Sequence, residues 1–318
     1  MHTTIVILSV DEAHLLEVSL PAAMAQPDAD VLVVDNASTD LTETVVETCG
    51  ARYMRLRERR SYAAAINAGI AASDGEAVLL LNADCVIADD FLDHLTRRLH
   101  DQTLGSVAPK LIRATSVDPG DRLDVLDAAA MTIDRQRKNR LVGHNAPSKD
   151  YAARADVFGA DGAAVLYRRE TLEECAIGGE VLDEDFELWA ADVDLAWRAQ
   201  LLGWRAAYEP AAVGWHVRYY SPSTRAELDP AHRRLQFRNR LLMIAKNETA
   251  GSFARDFHRI VGYEILAFGH CVLREPHLLG GYRDALRLLP GARRRRALIA
   301  PRRAPGRRVP FGIRPPRK

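Results

Sequence analysis

Leu79-Leu80-Leu81-Asn82-Ala83-Asp84 is an apolar run that ends abruptly in a carboxylate. With Ala77 and Val78 before it, the run predicts a strand over 77–81 buried on both faces, as in a parallel sheet covered by helices. In open α/β sheets, ligands bind beyond the carboxyl ends of the strands. Asp84 is delivered there, with polar Asn82 two places earlier. Carboxylate oxygens suit a hard divalent cation, magnesium or manganese, held against a phosphate ester. Alone, the same pattern also fits an Asp that merely ends a strand and opens a turn.

Working outward, Thr4 to Ser9 (TIVILS) reads as a first strand and Leu15 to Ala25 as a helix. Val31 to Val34 is a second buried strand, leading into Asp35-Asn36-Ala37-Ser38-Thr39-Asp40. Ser38 or Thr39 is placed to cap a helix running to Thr48. A strand over 51–56, a helix over 63–72, the 77–81 strand and a helix from Asp89 to His100 follow. This alternation predicts a doubly wound, mostly parallel sheet. Beyond Val107 the pattern loosens, and 113–156 reads as a polar, irregular insertion. Strands are expected at 163–167, 205–208 and 212–215. Helices are expected over 188–202, closed by Gly203, and over 233–246 and 252–273.

The chain has 318 residues and equal numbers of acidic and basic groups, 43 of each. That balance hides an asymmetry, because Arg293 to Lys318 contains no acidic residue. The Arg/Pro-rich tail is expected to be disordered. Four scattered cysteines (Cys49, Cys85, Cys175, Cys271) show no metal-type or redox-type pairing and suggest reduced thiols in a cytoplasmic protein. A strand begins almost at Met1, so no signal peptide is expected. No apolar run reaches the roughly 18–20 residues of a membrane-spanning helix.

Several blocks together resemble glycosyltransferase family 2 enzymes of GT-A fold, and within them the rhamnosyltransferase-like branch. The blocks are IVILS, VVDNASTD, AAAINAGI, GEAVLLLNADC, GGEVLDEDFELWAADVDLAWRAQLLGWRAAYEPAAVGWH and FRNRLLMIAKN. They cover the chain up to about Arg296. The resemblance implies a GT-A domain over 1–220, with a donor-binding half near 1–110 and an acceptor half near 111–220. It is followed by a helical extension over 221–290 and the basic tail over 291–318.

The resemblance also implies roles. Asp35 holds the donor's nucleotide base, with Asn36 as neighbour and Ser9 where the first strand passes; the competing account is an Asx-turn. Arg59 and Arg60 lie where they can meet the base or diphosphate, although Arg59 and Ser61 stand where Asn and Gly are usual. Asn67 and Asn82 complete the donor side. Asp84 matches the last acid of the metal-binding DXD-type motif, here in the LNAD form, and His216 matches a histidine that also reaches the metal. The cofactor implied is Mg2+ or Mn2+. Asp192 matches the catalytic Asp that removes the acceptor hydroxyl's proton. The usual preceding Glu is replaced by Ala191, so its task falls to Glu187 or Asp194 or is lost. Trp189 and Asp194 are acceptor-side candidates, and Trp189 and Trp215 offer either a sugar platform or core packing. Arg238, in the Arg238-Asn239-Arg240 element, is set to close over the diphosphate; helix-surface ion pairs are the competing account.

The partners implied are a nucleoside diphosphate sugar, with dTDP-rhamnose suggested by the branch, and a saccharide or lipid-linked saccharide of cell-wall or polysaccharide synthesis. The basic C-terminal region and the apolar helix near 260–273 give a possible peripheral contact with the inner face of the cell membrane. Nucleic acid is disfavoured, since the rest of the chain is acidic and no recognition motif precedes the basic run. A nucleotidyltransferase would want a Gly-rich phosphate loop after the first strand, and Ser9-Val10-Asp11-Glu12 offers none. A non-catalytic member that binds a sugar nucleotide or a partner is the remaining rival, because of Ala191.

Overall fold

A computed structural model describes residues 1–218 and 228–315. The boundary expected near residue 220 lies outside the described residues. The first half alternates as the sequence predicts: β1 (Thr3–Ser9), α1 (Ala13–Met24), β2 (Ala29–Asp35), α2 (Thr42–Cys49), β3 (Arg52–Arg55), α3 (Tyr62–Ala71) and β4 (Ala77–Asn82). Strands β1, β2, β3 and β4 pair in parallel, with Ser9 opposite Asp35 and Leu8 opposite Asn82. Apolar side chains alternate to the two faces of each strand, so one sheet feeds two cores. Val6, Val34 and Leu80 pack on one side, and Ile7, Val33 and Leu79 on the other.

Helix α2 begins later than the Ser38 and Thr39 hydroxyls would place it. The Asp40 carboxylate accepts from the Thr42 N–H (3.1 Å) and Ser38 instead accepts from the Asp11 N–H (2.9 Å). Ser61 caps α3, accepting from Ala64 N–H at 3.3 Å.

After β4 come β5 (Cys85–Ile87), α4 (Phe91–Leu99), where a helix is expected, and β6 (Leu104–Ala114). The stretch 113–156, expected to be an irregular insertion, instead carries the short strands β7 (Arg122–Ala128), β8 (Ala130–Ile133), β9 (Asn139–Val142) and the start of β10 (Ala155–Val157). Polar residues fill the turns between strands that are buried only over a few positions, so neither clean alternation nor an apolar run marks them. After these come β11 (Ala164–Arg168), α5 (Arg169–Cys175), α6 (Ala191–Leu202) and β12 (Arg205–Val217). The two extended pieces expected at 205–208 and 212–215 are one strand, interrupted by a register shift between Glu209 and Val213. The main sheet runs β10-β12-β6-β11-β4-β1-β2-β3. β11 is antiparallel to both β4 and β6, whereas β12 is parallel to β6. Gly203 closes α6 at φ +109°, a backbone state that other residues rarely adopt.

Helices α7 (Pro230–Asn247), α8 (Ala250–Leu273) and α9 (Leu279–Ile299) complete the described chain. The stretch from Arg293 departs from the expected disorder. It continues α9 and then folds back on α6 and β8, where Ala304 N–H donates to Leu201 O and Gly312 N–H to Ile133 O. Phe311 stacks edge-on against Trp197 at 5.1 Å and beneath the Arg137 guanidinium at 3.8 Å. The arginines that suggested a solvated tail flank a few apolar anchors, and composition alone does not reveal anchors so sparse.

Candidate active site

The carboxyl ends of β1, β2 and β4 open on one side of the sheet, as the parallel pairing dictates. Asp35 ends β2, fully buried. One of its oxygens accepts from Ser38 N–H (2.7 Å), the other from Tyr53 OH (2.6 Å) and an Arg55 N–H (3.1 Å). In this arrangement Asp35 is already satisfied, and Tyr53 and Arg55 stand beside it on β3. Neither β3 residue is singled out by the sequence blocks, because a short edge strand carries no motif. Burial and the Asp35 carboxylate push the Tyr53 phenol up to about 12. Asn36 exchanges two hydrogen bonds with the Arg60 backbone, at 2.9 and 2.8 Å, and so fixes the loop that carries Arg59. Arg59 is half-exposed and paired with Asp11. Ser9 is buried beside Thr42, 3.4 Å between their hydroxyls.

Asn67 is engaged by the segment that precedes α6. Its amide accepts from Leu182 N–H and donates to Leu182 O, both at 2.8 Å, tying α3 to the segment before α6. Asp194 is turned away from any cleft: it is fully buried and bound to Arg198, Lys246 and Asn247. Arg238 donates to Glu187 (2.8 Å) and to Asp185 O (2.6 Å), and Asn239 to Phe186 O (2.6 Å) and Trp189 O (2.7 Å). The Arg238-Asn239 pair therefore grips the loop that enters α6. In that loop Glu187 and Ala190 both hold positive φ, at 63° and 65°. Such residues persist only where surroundings enforce them. Trp215 lies under the Arg122 guanidinium, 3.5 Å from its ring centre, which leaves that face covered. Trp189 is half-buried in the gripped loop.

Asp84 follows β4 and is nearly buried. His216, on β12, reaches it because β12 pairs with β5 directly after Asp84. His216 Nε2 lies 3.2 Å from Asp84 Oδ1, at an angle that leaves this oxygen without a formed hydrogen bond. On its other side, His216 Nδ1 is 2.8 Å from Asp127 Oδ2. Asp127 in turn accepts two bonds from Arg218, whose guanidinium also reaches Asp161 at 2.9 Å. Burial works against the His216 cation, but Asp84 and Asp127 outweigh it and raise the imidazole to about 9. Burial and the nearby Asp84 carboxylate raise Glu12, in the loop after β1, to about 7. Asp127 and Glu12 went unrecognised in the sequence; each is a lone acid within an otherwise unremarkable stretch.

This corner fits a divalent cation. A buried carboxylate oxygen without a bond, beside an imidazole oriented by a further acid, is a donor pair with a supporting shell. Asp84 and His216 are the residues that would hold the ion, and it would replace the proton on Nε2.

Asp192 lies at the start of α6. Its Oδ2 accepts from Gly162 N–H (3.1 Å) and its Oδ1 from Val193 N–H (2.8 Å). Gly162 makes this approach possible, since a Cβ there would sit 3.3 Å from Asp192 Oδ2. Burial and the Asp161 carboxylate raise Asp192 to about 6. Because Asn82 N–H donates to Ala163 O (2.9 Å), the 161–163 turn lies between the end of β4 and Asp192. Asp84, His216 and Asp192 thus converge on one region, joined through Asp127, Arg218 and Asp161. Ala191 is buried, so the position before Asp192 points to the core; Glu187 stays exposed and Asp194 does not.

A sequence profile of glycosyl transferase family 2 matches residues 4–175, more than half of the chain. The chain belongs to that family. Asp84 falls inside the matched region, whereas Asp192 and His216 lie beyond its end. Poly-beta-1,6-N-acetyl-D-glucosamine synthase of Staphylococcus aureus (strain COL) is 21% identical over 221 residues, covering 67% of this chain and 49% of that protein. The family 2 chain therefore spans about half the length of the curated relatives it matches. Among solved structures, S. aureus TarS 1-349 in complex with UDP-GlcNAc matches with a TM-score of 0.62 at 16% identity, over 95% of this chain and 89% of that one. The mannosyltransferase PcManGT from Pyrobaculum calidifontis, in complex with GDP-Man and Mn2+, matches with a TM-score of 0.53 at 21% identity, over 95% and 85%. These likenesses establish the GT-A fold.

Proposed function

We propose that this chain is a metal-dependent, inverting glycosyltransferase that moves a sugar from a nucleoside diphosphate donor to a saccharide or lipid-linked saccharide acceptor. The observation that carries the reading is the convergence of Asp84 and His216 with Asp192 at the carboxyl end of β4. Asp192 removes the acceptor hydroxyl's proton; a carboxyl raised to about 6 is a stronger base than an ordinary one and still ionised at neutral pH. Asp84 and His216 would hold the cation, which would supply neutralising charge for the departing nucleoside diphosphate. The base is assigned to Asp35, through the oxygen that accepts from Ser38 N–H, with Asn36 and Ser9 as its neighbours, and the diphosphate to Arg59, now paired with Asp11. A polymerised glycan as product is supported by the name of the curated relatives. A dTDP-rhamnose donor is supported by the sequence blocks of the rhamnosyltransferase-like branch.

Release of nucleoside diphosphate, measured with manganese across dTDP-rhamnose, UDP-GlcNAc and GDP-mannose, tests the proposal. Turnover of one donor is expected. Asp192→Asn should then lose about 10²–10⁴-fold in transfer while retaining donor affinity. Asp84→Ala should lose metal-dependent donor binding. Normal turnover by Asp192→Asn would remove the base assignment. One observation favours a second reading, a non-catalytic binder: the usual acid before Asp192 is here a buried Ala191. Donor binding by the unaltered chain with no turnover of any donor would establish that reading.

A further inference from the structure

We infer that the outward face of α8 is a docking surface for an anionic lipid bilayer. The helix is long, 24 residues, and its two sides differ sharply. Asp256, Ile260 and Cys271 are buried on the inner side. The outer side exposes Phe257, Ile265, Leu266, Phe268, Val272 and Leu273, with Leu273 80%, Leu266 73% and Ile265 67% accessible. Isolated exposed leucines need no explanation, but large apolar side chains repeated along one helix face do.

Charge selects the occupant. Both acids of α8 are spent on the inner side: Asp256 accepts from Arg135 and Arg137, and Glu264 from Arg240. Arg259 on the helix and Arg274 just past its end are exposed, beside an exposed Arg255 that also reaches Asp256 at 3.8 Å, and no exposed acid lies among them. An apolar face flanked by arginines and free of carboxylates is the pattern of a helix lying in a bilayer interface with its cations among anionic headgroups. A second copy of the chain would bring the same arginines against themselves, which repel. No helix of the described residues is long and apolar enough to cross a membrane, so the contact is one that lies on the surface. The inference rests on this surface alone and holds whichever sugar is moved.

Co-sedimentation of the full chain with vesicles tests it, comparing phosphatidylcholine alone with phosphatidylcholine doped with phosphatidylglycerol. The chain is expected to partition onto the doped vesicles and to be released by salt. Each arginine near such a surface contributes roughly fivefold, so Arg259→Ala with Arg274→Ala should weaken partitioning roughly thirtyfold. Ile265→Glu with Leu266→Glu should abolish it, and the thermal midpoint of these exposed-site variants should stay unchanged. Equal partitioning onto neutral and doped vesicles, or none onto either, would overturn the inference. So would light scattering that shows a dimer in the unaltered chain and a monomer in the Ile265→Glu/Leu266→Glu variant, without vesicle binding by either.

Discussion

Between Thr3 and Leu99 the buried strand and helix residues are almost all apolar, and Asp35 and Asp84 are the buried carboxylates among them. Between Arg122 and Asp256 the buried set is instead rich in charge: Asp127, Arg137, Asp183, Asp194, Arg198, Lys246, Glu248 and Asp256. The first region is held by area removed from water, which is non-directional and tolerant. The second is bolted by ion pairs across long sequence separations, such as Arg137 to Glu248 and Asp256, and Lys246 to Asp183 and Asp194. Removing one member of such a pair strands the other in the interior. The difference teaches where each region is vulnerable: the first to lost volume, the second to a single unpaired charge.

The comparison breaks most readily at Lys246. Lys246→Met removes the cation that Asp183 and Asp194 share, leaving Arg295 to the first and Arg198 to the second, and is expected to cost about 3 kcal/mol in urea unfolding. Below its lowered melting temperature, calorimetry should still find donor binding, because Asp35 and Asp84 belong to the other region, while transfer falls. A loss of under 1 kcal/mol would mean that the ion pairs are ornamental. Leu79→Ala probes the apolar side and should cost about 2–5 kcal/mol by the same measurement. Here binding and transfer should fall together once unfolding begins.

Two smaller effects sharpen the contrast through pH. Transfer should decline on the acid side with a midpoint near the Asp192 value of about 6. Asp161→Asn removes the like charge, so the carboxyl ionises more easily and the midpoint should move to lower pH, by about one unit at most. A midpoint that does not move would separate Asp161 from Asp192. The smallest effect concerns stability. A carboxyl raised on folding contributes stability below its unfolded value near 3.8, and this is lost as pH climbs through about 6. At pH 8 Asp192→Asn should therefore melt on the order of 2–4 °C higher, read by differential scanning calorimetry.

The same physics decides what the sequence discloses. β1, β2 and β4 are legible because strands buried on both faces are written as local apolar runs. The Asn82-Ala83-Asp84 ending is legible because a carboxylate interrupts such a run. Asp127 is not, since its role depends on His216 and Arg218, far along the chain. Tyr53 and Arg55 sit on an edge strand half open to water and look like any surface pair. Arg238 and Asn67 carry motif-like surroundings, yet each is tied to the segment 182–187 that precedes α6. Residue type marks the capacity for hydrogen bonding; only the fold says which partner is within reach. The strands within 113–156 were hidden for a related reason, because their partners β6, β8 and β12 supply the pattern that their own residues lack.

The return of the segment around Phe311 to Trp197 and Ile133 has a consequence for synthesis. A nascent polypeptide lacks these contacts until residue 312 has left the ribosome's exit tunnel. The parallel strands β1 to β4 can condense while translation is still under way. The layer around α6 gains these contacts only from residues made long afterwards, so that side of the molecule is completed later than the sheet.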